Sequence, residues 1–187
     1  MKTQINENVL ELFVGDITEQ TTEAIVNAAN GSLLGGGGVD GAIHQAAGRG
    51  LMDECKKIRT EKLNGEELAT GEAVLTKGYD LPAQYVIHTV GPVWKGNSEG
   101  EAEKLASCYR NALRIAAGNE IKSISFPSIS TGVYRFPIEE AAVIALRTVV
   151  GFLKKQPFGY VAFTLFSDRD YRLYEAALNR IMQEEGR

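Results

Sequence analysis

Asp40 is the residue whose type and position in this sequence are most suited to catalysis. It lies at the start of a predicted helix, directly after a run of glycines. A carboxylate there could take part in acid–base catalysis near an electrophilic atom of a ligand. The alternative is a structural role in which the carboxylate complements the helix dipole. Asn27 and Asn30 precede the glycines, and both could be turn residues. Asn27, however, lies within a strand-like segment, where an amide needs a partner or a ligand.

Two glycine-rich segments, residues 27–41 and 128–134, are candidates for binding phosphate through the backbone. Residues 24–48 and 123–134 contain no Lys or Arg, so a phosphate there would need backbone N–H groups and helix N-termini. Glycine permits this because its backbone adopts positive φ angles and approaches an oxygen without a Cβ atom. The alternatives are a flexible surface loop for the first segment and a strand-to-helix turn, capped by Ser130 or Thr131, for the second.

Known nucleotide motifs fit the first segment poorly. Residues 36–41 match GxGxxG, but the glycines do not follow the preceding strand directly, and no strand ends in an acidic residue at the required distance. Asp40 inside this loop would also repel a pyrophosphate. A P-loop is excluded because GxxxxGK[ST] does not occur.

The histidines and cysteines offer weaker candidates for chemistry. His44 lies one helical turn after Asp40, so the two side chains can meet, whereas His88 inside a strand is expected to be a core histidine. No pattern indicates a reactive thiolate, a zinc site or a base beside a hydroxyl nucleophile. We therefore expect neither a bound metal nor covalent catalysis. Cys55 and Cys108 are the candidate thiols, and Ser128, Ser130 and Thr131 are the candidate hydroxyl nucleophiles.

The elements that must position these residues alternate along the chain. Short apolar or β-branched runs predict strands at 9–14, 24–29, 73–76, 85–90, 123–127 and 160–166. Apolar residues at helical spacing predict helices at 39–47, 51–58, 105–116, 138–153 and 170–182. This order predicts an α/β domain spanning residues 1–187, with a parallel or mixed sheet covered on both faces. Ligands of such sheets bind at the carboxyl ends of strands, where both glycine-rich segments fall.

Composition limits the partners and the compartment. The formal net charge of −4 argues against general binding of nucleic acid or anionic membrane. Two cysteines are too few for a disulfide framework, and no apolar run has the length of a signal peptide core or a membrane span. We expect a soluble protein of the cytoplasm.

Taken together, the motifs resemble those of the macrodomain family, and most closely its bacterial O-acetyl-ADP-ribose deacetylase branch, which is related to the MacroD-type hydrolases. The match covers nearly the whole chain in order and is far more specific than any single glycine motif. It runs through Gly15-Asp16-Ile17-Thr18, residues 24–30, residues 35–43, residues 87–92, residues 126–136 and Tyr174.

The resemblance implies a three-layer α/β/α sandwich with a mixed central sheet and ADP-ribose bound in a cleft. It implies that Asp16 and Ile17 bind the adenine, and that Phe166, otherwise a terminal core aromatic, lies against the adenine ring. The diphosphate would be held by backbone N–H groups of Gly37, Gly38, Val39, Ser130, Thr131, Gly132 and Val133. Asn30 and Tyr134 would contact the distal ribose, and Asn27, His44 and Ser128 complete the candidate ligand contacts.

The expected reaction is hydrolysis of an acyl ester on the distal ribose by a water that Asp40 orients or deprotonates, with no cofactor. The expected substrate is O-acetyl-ADP-ribose, together with mono-ADP-ribose on acidic protein side chains. A reader module that binds ADP-ribose without turnover is the alternative, which the presence of both Asn30 and Asp40 disfavours. RNA binding is disfavoured by the net charge. Arg135 follows Tyr134 close to the expected position of the sugar, where it could influence which acyl or protein group is accepted or could point to solvent.

Overall fold

The computed structural model describes residues 1–186, which contain a single seven-stranded mixed sheet. In chain order the strands are β1 (Lys2–Ile5), β2 (Asn8–Val14), β3 (Ala24–Ala28), β4 (Ala73–Lys77), β5 (Tyr85–Thr89), β6 (Ser123–Phe126) and β7 (Tyr160–Leu165). Their order across the sheet is β1-β2-β7-β6-β3-β5-β4. The five central strands are parallel and the two edge strands are antiparallel. The carboxyl ends of β2, β7, β6 and β3 therefore lie side by side.

Five α-helices cover the two faces of the sheet. They are α1 (Gly38–Ala47), α2 (Arg49–Glu61), α3 (Glu101–Gly118), α4 (Ile138–Lys155) and α5 (Asp168–Glu185). One hydrophobic cluster joins α3, α4 and α5 to one set of strand side chains, and a second joins α1 and α2 to the opposite set. This arrangement confirms the expected three-layer sandwich. Because the central strands are buried on both faces, they are nearly continuous apolar runs.

Local sequence explains where the elements next to the glycine segments begin and end. The α1 helix ends at Gly48, whose φ of +82° suits glycine and whose N–H bonds to the carbonyl of His44. The α5 helix begins after Ser167, whose hydroxyl accepts the N–H of Asp170. The α4 helix, in contrast, begins after Pro137 without a side-chain cap. The alternative in which Ser130 or Thr131 caps a helix is therefore excluded, because several residues separate them from α4.

The β1 strand was not predicted from the sequence, and it pairs with β2 as an antiparallel hairpin. It has four residues, and two of them are exposed polar side chains, so it lacks an apolar signal. Asn6 takes a φ of +55° in the turn, which asparagine tolerates better than most residues. The α3 helix also begins earlier than predicted, at Glu101. Within residues 1–186, no helix has the length and apolar character needed to span a membrane.

Candidate active site

A cleft of about 350 Å³ opens where β3 and β6 end. Eleven residues line it from two loops and one helix start, and ten of them are candidate site residues. The lining residues are Ala28, Asn30, Gly37, Gly38, Val39, Asp40, Ser128, Ser130, Gly132, Val133 and Tyr134. The two glycine-rich segments thus face each other across one cavity, since β3 and β6 are neighbours in the sheet. None of these lining residues is a Lys or an Arg.

The N-terminus of α1 opens into this cleft. Gly37 is the residue before the helix, and no side chain caps the helix there. Gly38 has a φ of +57°, which favours glycine, and side chains at Gly37 or Gly38 would meet open space. The first N–H groups of a helix have no partner inside the helix and attract anions. This wall of the cleft is therefore suited to an anionic group.

Asn30 holds the loop that lies between β3 and α1. Its Nδ2 atom donates to the carbonyl of Gly35 over 3.0 Å, and its Oδ1 atom accepts from the Tyr134 hydroxyl over 3.3 Å. A methyl group at Gly36 would lie 2.5 Å from Asn30 Nδ2 and 3.3 Å from Asp40 Oδ2. The Asn30 amide and the Asp40 carboxylate therefore converge on Gly36, which only glycine can occupy without displacing them.

Asp40 lies in the first turn of α1 and is 4% exposed. Its Oδ1 atom accepts from Asn27 Nδ2 over 2.8 Å and lies 3.4 Å from His44 Nε2, so the expected meeting of Asp40 and His44 is confirmed. Its Oδ2 atom is buried and has no hydrogen-bond partner within residues 1–186. One carboxylate oxygen is thus held by the protein, and the other is available.

Two buried tyrosines anchor the start of the 128–134 loop. Tyr174 on α5 and Thr131 both donate to Ser128 Oγ, over 2.8 and 2.9 Å. Tyr109 on α3 accepts the N–H of Ile129 over 3.1 Å. Burial raises the pKa of Tyr174 to about 12 and raises the pKa of Tyr109 well above its usual value. Both phenols therefore remain protonated at neutral pH. Because Ser128 Oγ accepts from Tyr174 and Thr131, its own hydroxyl hydrogen is free to be donated.

Ser130 has an unusual backbone conformation in the middle of the same loop. Its φ is +67°, although it is not glycine, and its buried Oγ atom has no hydrogen-bond partner in the described chain. Gly91 lies directly below, because a methyl group there would collide with Ser130 Oγ. Such strain is typical of binding loops that the surrounding structure holds in place. The carbonyl of Ser130 accepts the N–H of Phe136 over 3.0 Å, which fixes the turn.

The residues expected to bind adenine lie beyond the cleft lining, at the ends of the next two strands. Phe166 follows β7 and is 91% exposed, so it is not a terminal core aromatic. Asp16 follows β2, and the N–H of Gly15 bonds to Leu165 across the two strand ends. The Asp16 carboxylate accepts from the N–H and the hydroxyl of Thr18, while Ile17 is buried.

Three further candidates lie behind the cleft wall or beside it. Asn27 is fully buried in β3 and contacts Asp40 from below, and His44 contacts Asp40 from α1. Thr131 supports Ser128. None of the three lines the cavity. Arg135 is exposed, with a φ of +61°.

His88 lies in the core, as expected, and the two cysteines are also buried. His88 is fully buried and hydrogen-bonded to Asn27 and Thr76, and burial together with nearby His44 lowers its pKa to about 3. Burial raises the pKa of Cys55 to about 12 and of Cys108 to about 11, so neither is a thiolate at neutral pH. Residues 1–186 contain no group of three His, Cys, Asp or Glu side chains placed to hold a metal.

Comparison with known proteins decides the family. The family model described as "Macro domain" matches residues 26–145, which include both sides of the cleft. This chain belongs to the Macro domain family. Klebsiella pneumoniae has a relative named O-acetyl-ADP-ribose deacetylase, 52% identical over 169 residues, or 90% of this chain and 95% of that protein. The mouse ADP-ribose glycohydrolase MACROD2 is 50% identical over 182 residues, or 96% of this chain and 37% of that protein.

Solved structures of other Macro domains share the fold closely. The Oceanobacillus iheyensis macrodomain with ADP superposes with a TM-score of 0.97 at 55% identity, covering 98% of this chain and 97% of that one. A variant of the same macrodomain with ADPR superposes with a TM-score of 0.96 over 98% of each chain. The resemblance to the MacroD-type branch is thereby confirmed for this Macro domain chain.

Several residues that shape this Macro domain site were not identified from the sequence. Gly36 lies within the predicted phosphate-binding segment, but in the structure it is the contact point of Asn30 and Asp40. Tyr109 lies within the predicted helix at 105–116, and Gly91 lies within the motif at residues 87–92. The sequence carries no local signal for these roles, because each depends on contacts between distant segments.

Proposed function

We propose that this Macro domain binds ADP-ribose and hydrolyses the acetyl ester of O-acetyl-ADP-ribose. One observation carries the proposal: Asp40 Oδ2 is buried, unpartnered and beside the Asn30 amide, at one end of a cleft whose other walls offer backbone N–H groups. The names of the Klebsiella and mouse relatives, and the ADP and ADPR in the Oceanobacillus structures, support the same function.

The diphosphate would lie between the N-terminus of α1 and the backbone of residues 130–133. Both segments present main-chain donors to a cavity without cationic side chains. The adenine would extend toward Phe166 and Asp16, where a fully exposed aromatic ring is available for stacking. The distal ribose would then lie between Asn30 and Tyr134, which are already hydrogen-bonded to each other.

The reaction needs one water and no group beyond the protein and the substrate. The water oxygen forms a bond to the acetyl carbon, and the bond between that carbon and the ribose oxygen breaks. The water gives up one proton and the ribose oxygen gains one, so the products are ADP-ribose and acetic acid, which ionises to acetate and a released proton at neutral pH. Asp40 Oδ2 would position this water and, together with a diphosphate oxygen of the substrate, is one of two groups able to accept its proton.

Mono-ADP-ribosylated acidic side chains would use the same site. They are joined to the distal ribose through an ester, so the same attack by a positioned water releases the modified carboxylate. The cleft is open at Tyr134 and Val133, and Val133 is 91% exposed. This opening would leave room for a protein chain.

The test compares the wild type with Asp40→Ala, Asp40→Asn and the exposed control Asp53→Asn. Calorimetry would measure ADP-ribose binding, and acetate release would measure turnover of O-acetyl-ADP-ribose. We expect turnover in the wild type and the control, and binding without turnover in Asp40→Ala. Residual turnover in Asp40→Asn would indicate that the substrate phosphate accepts the proton. Tight binding without any turnover in the wild type would replace this proposal with the reader module.

We further propose that residues 1–187 form one domain and that the protein acts in the cytoplasm. The two buried, unpaired cysteines support a reducing compartment. Cell fractionation with antibody detection would test the location, and limited proteolysis yielding no stable fragment would support a single domain.

A further inference from the structure

A row of buried polar side chains crosses three neighbouring strands beneath Asp40. Asn27 on β3 pairs directly with His88 on β5, and Thr76 lies beside them on β4. These side chains point toward the face covered by α1 and α2. Asn27 and His88 are 0% exposed and Thr76 is 2% exposed. Three adjacent polar groups in this core have no packing advantage over apolar ones, because each must find a hydrogen bond inside the protein.

Each hydrogen bond in this row has a defined donor and a defined acceptor. Asn27 Nδ2 lies 2.8 Å from Asp40 Oδ1 and 3.1 Å from His88 Nδ1, and it has two hydrogens to donate. His88 Nε2 lies 2.9 Å from Thr76 Oγ1, and Thr76 Oγ1 donates to the carbonyl of Lys77 over 3.1 Å. Asn27 Nδ2 can only donate, so a neutral His88 accepts at Nδ1 and Thr76 Oγ1 accepts the Nε2–H. His88 therefore carries its proton on Nε2 and accepts at Nδ1.

Asn27 Nδ2 contacts both Asp40 and His88. The position of the proton on the His88 ring is therefore linked to the hydrogen bond that Asp40 receives. If His88 carried a proton on Nδ1, Asn27 would have to rotate its amide to offer the oxygen instead. That oxygen would then face Asp40 Oδ1, and two acceptors would repel each other. The low pKa of His88, about 3, agrees with a neutral ring. Only the Nε2–H form is compatible with the bond from Asn27 to Asp40.

We infer that Asn27, His88 and Thr76 are positioning residues that select which oxygen of Asp40 meets the attacking water. This inference rests on the proposed hydrolase function and assigns roles within the same site. Asn27 holds Oδ1 at the back of the cleft, and Oδ2 is left without a protein partner beside Gly36 and Asn30. The row thus fixes the rotation of the carboxylate, while the ligand contacts proposed above use other atoms.

Thr76 provides the sharpest test because it lies at the far end of the row and touches neither Asp40 nor the cleft lining. Thr76→Val keeps the shape and removes the one acceptor that His88 Nε2–H has among residues 1–186. We expect the kcat for acetate release to fall about tenfold, the magnitude typical of residues that orient a reacting group. KM and the Kd for ADP-ribose should change less than about twofold, because the binding contacts are unchanged.

Two controls separate this effect from general loss of stability. Thr76→Ser restores the hydroxyl and should recover most of kcat. Thr164→Val removes a hydroxyl that is also buried in the sheet, but whose Oγ1 atom has no partner in residues 1–186, and it should leave kcat unchanged. Equal kcat values for Thr76→Val and the wild type, or an equal loss in Thr164→Val, would overturn the inference.

A second measurement does not depend on activity. Nitrogen-15 NMR of the histidine rings should show His88 with Nε2 protonated and Nδ1 unprotonated in the wild type, and a changed pattern in Thr76→Val. A proton on Nδ1 in the wild type would overturn the inference even if Thr76→Val were inactive. If the wild type releases no acetate, the proposed function itself is wrong; if it turns over and Thr76→Val matches it, only the positioning role is wrong.

Discussion

The hydroxyl of Tyr134 donates to Oδ1 of Asn30 over 3.3 Å, and this bond joins the loop after β6 to the end of β3. The two residues are far apart in sequence but follow neighbouring strands. Asn30 uses its other polar atom to hold the carbonyl of Gly35. The end of the cleft assigned to the distal ribose is therefore organised before a ligand arrives, which reduces the cost of ordering it on binding.

Tyr134→Phe tests whether this organisation matters for turnover. The variant keeps the ring and removes the hydrogen bond, which contributes about 1 kcal/mol when neutral groups are involved. We expect kcat/KM for O-acetyl-ADP-ribose to fall roughly fivefold, measured from initial rates of acetate release. Tyr85→Phe is the matched control, because its hydroxyl accepts only a weak 3.4 Å bond from Gln84 at the opposite end of the sheet. An equal loss in both variants would contradict a specific role for Tyr134.

Gly36→Ala should damage both the site and the fold. The added methyl would lie 2.5 Å from Asn30 Nδ2 and 3.3 Å from Asp40 Oδ2, so both side chains must move. Overpacking of this kind lowers the free energy of unfolding by about 1–3 kcal/mol, and turnover should fall with it. Gly151→Ala, inside α4 and facing open space, should instead stabilise the protein by about 0.5–1 kcal/mol. Thermal unfolding of both variants measures the contrast.

The sequence predicted the large elements because each carries its own periodic signal. Six of the seven strands and all five helices were predicted near their observed positions, since the central strands are apolar runs and the helices each have one apolar face. The position of both glycine segments at strand ends followed from the alternation of strands and helices. The cleft could therefore be predicted, because β3 and β6 bring those segments to one edge of the sheet.

The supports of the site could not be predicted, because they depend on which residues meet across the fold. Tyr109 and Tyr174 belong to apolar helix faces, and no local pattern reveals that their hydroxyls hold residues 128 and 129. His88 was correctly expected in the core, but its link to Asp40 through Asn27 depends on strand register. The β1 strand was missed because it has only four residues, and its single buried apolar side chain, Ile5, gives no periodic signal.

Tyr174→Phe should weaken ligand binding through Ser128. The phenol donates to Ser128 Oγ, and without it the serine hydroxyl would turn toward other partners and away from the cleft. We expect the Kd for ADP-ribose to rise about threefold, which corresponds to a loss of binding free energy smaller than the contribution of one typical hydrogen bond. Tyr171→Phe on the same helix loses bonds to the Met1 amine and Glu175 and should change stability without changing Kd. Calorimetric titration of both variants distinguishes the two effects.

His88 should make the protein less stable in acid. Its pKa is about 3 in the folded protein and 6.5 in an unfolded chain, so the unfolded chain binds more protons between these values. The stability associated with neutral His88 is therefore complete above pH 6.5 and is lost as the pH falls toward 3, by at most about 1.4 kcal/mol per pH unit. Urea unfolding across this window should show a shallower decline in His88→Gln, since the carboxylates are common to both proteins. Parallel curves would refute the assignment.

Binding of ADP-ribose should depend only weakly on salt. A site built from lysines or arginines loses affinity for phosphates as ionic strength rises, because the charges are screened. Here the cleft lining has no Lys or Arg, the diphosphate would be held by backbone N–H groups, and the protein carries a net charge of −4 that repels the ligand at long range. Raising the salt from about 0.05 M to about 0.5 M should therefore leave Kd nearly unchanged or slightly lower it.

A steep loss of affinity over this range would mean that cations outside the cleft bind the ligand, and it would revive nucleic acid as a partner. Calorimetry at several salt concentrations, with the ligand and protein unchanged, decides between these outcomes.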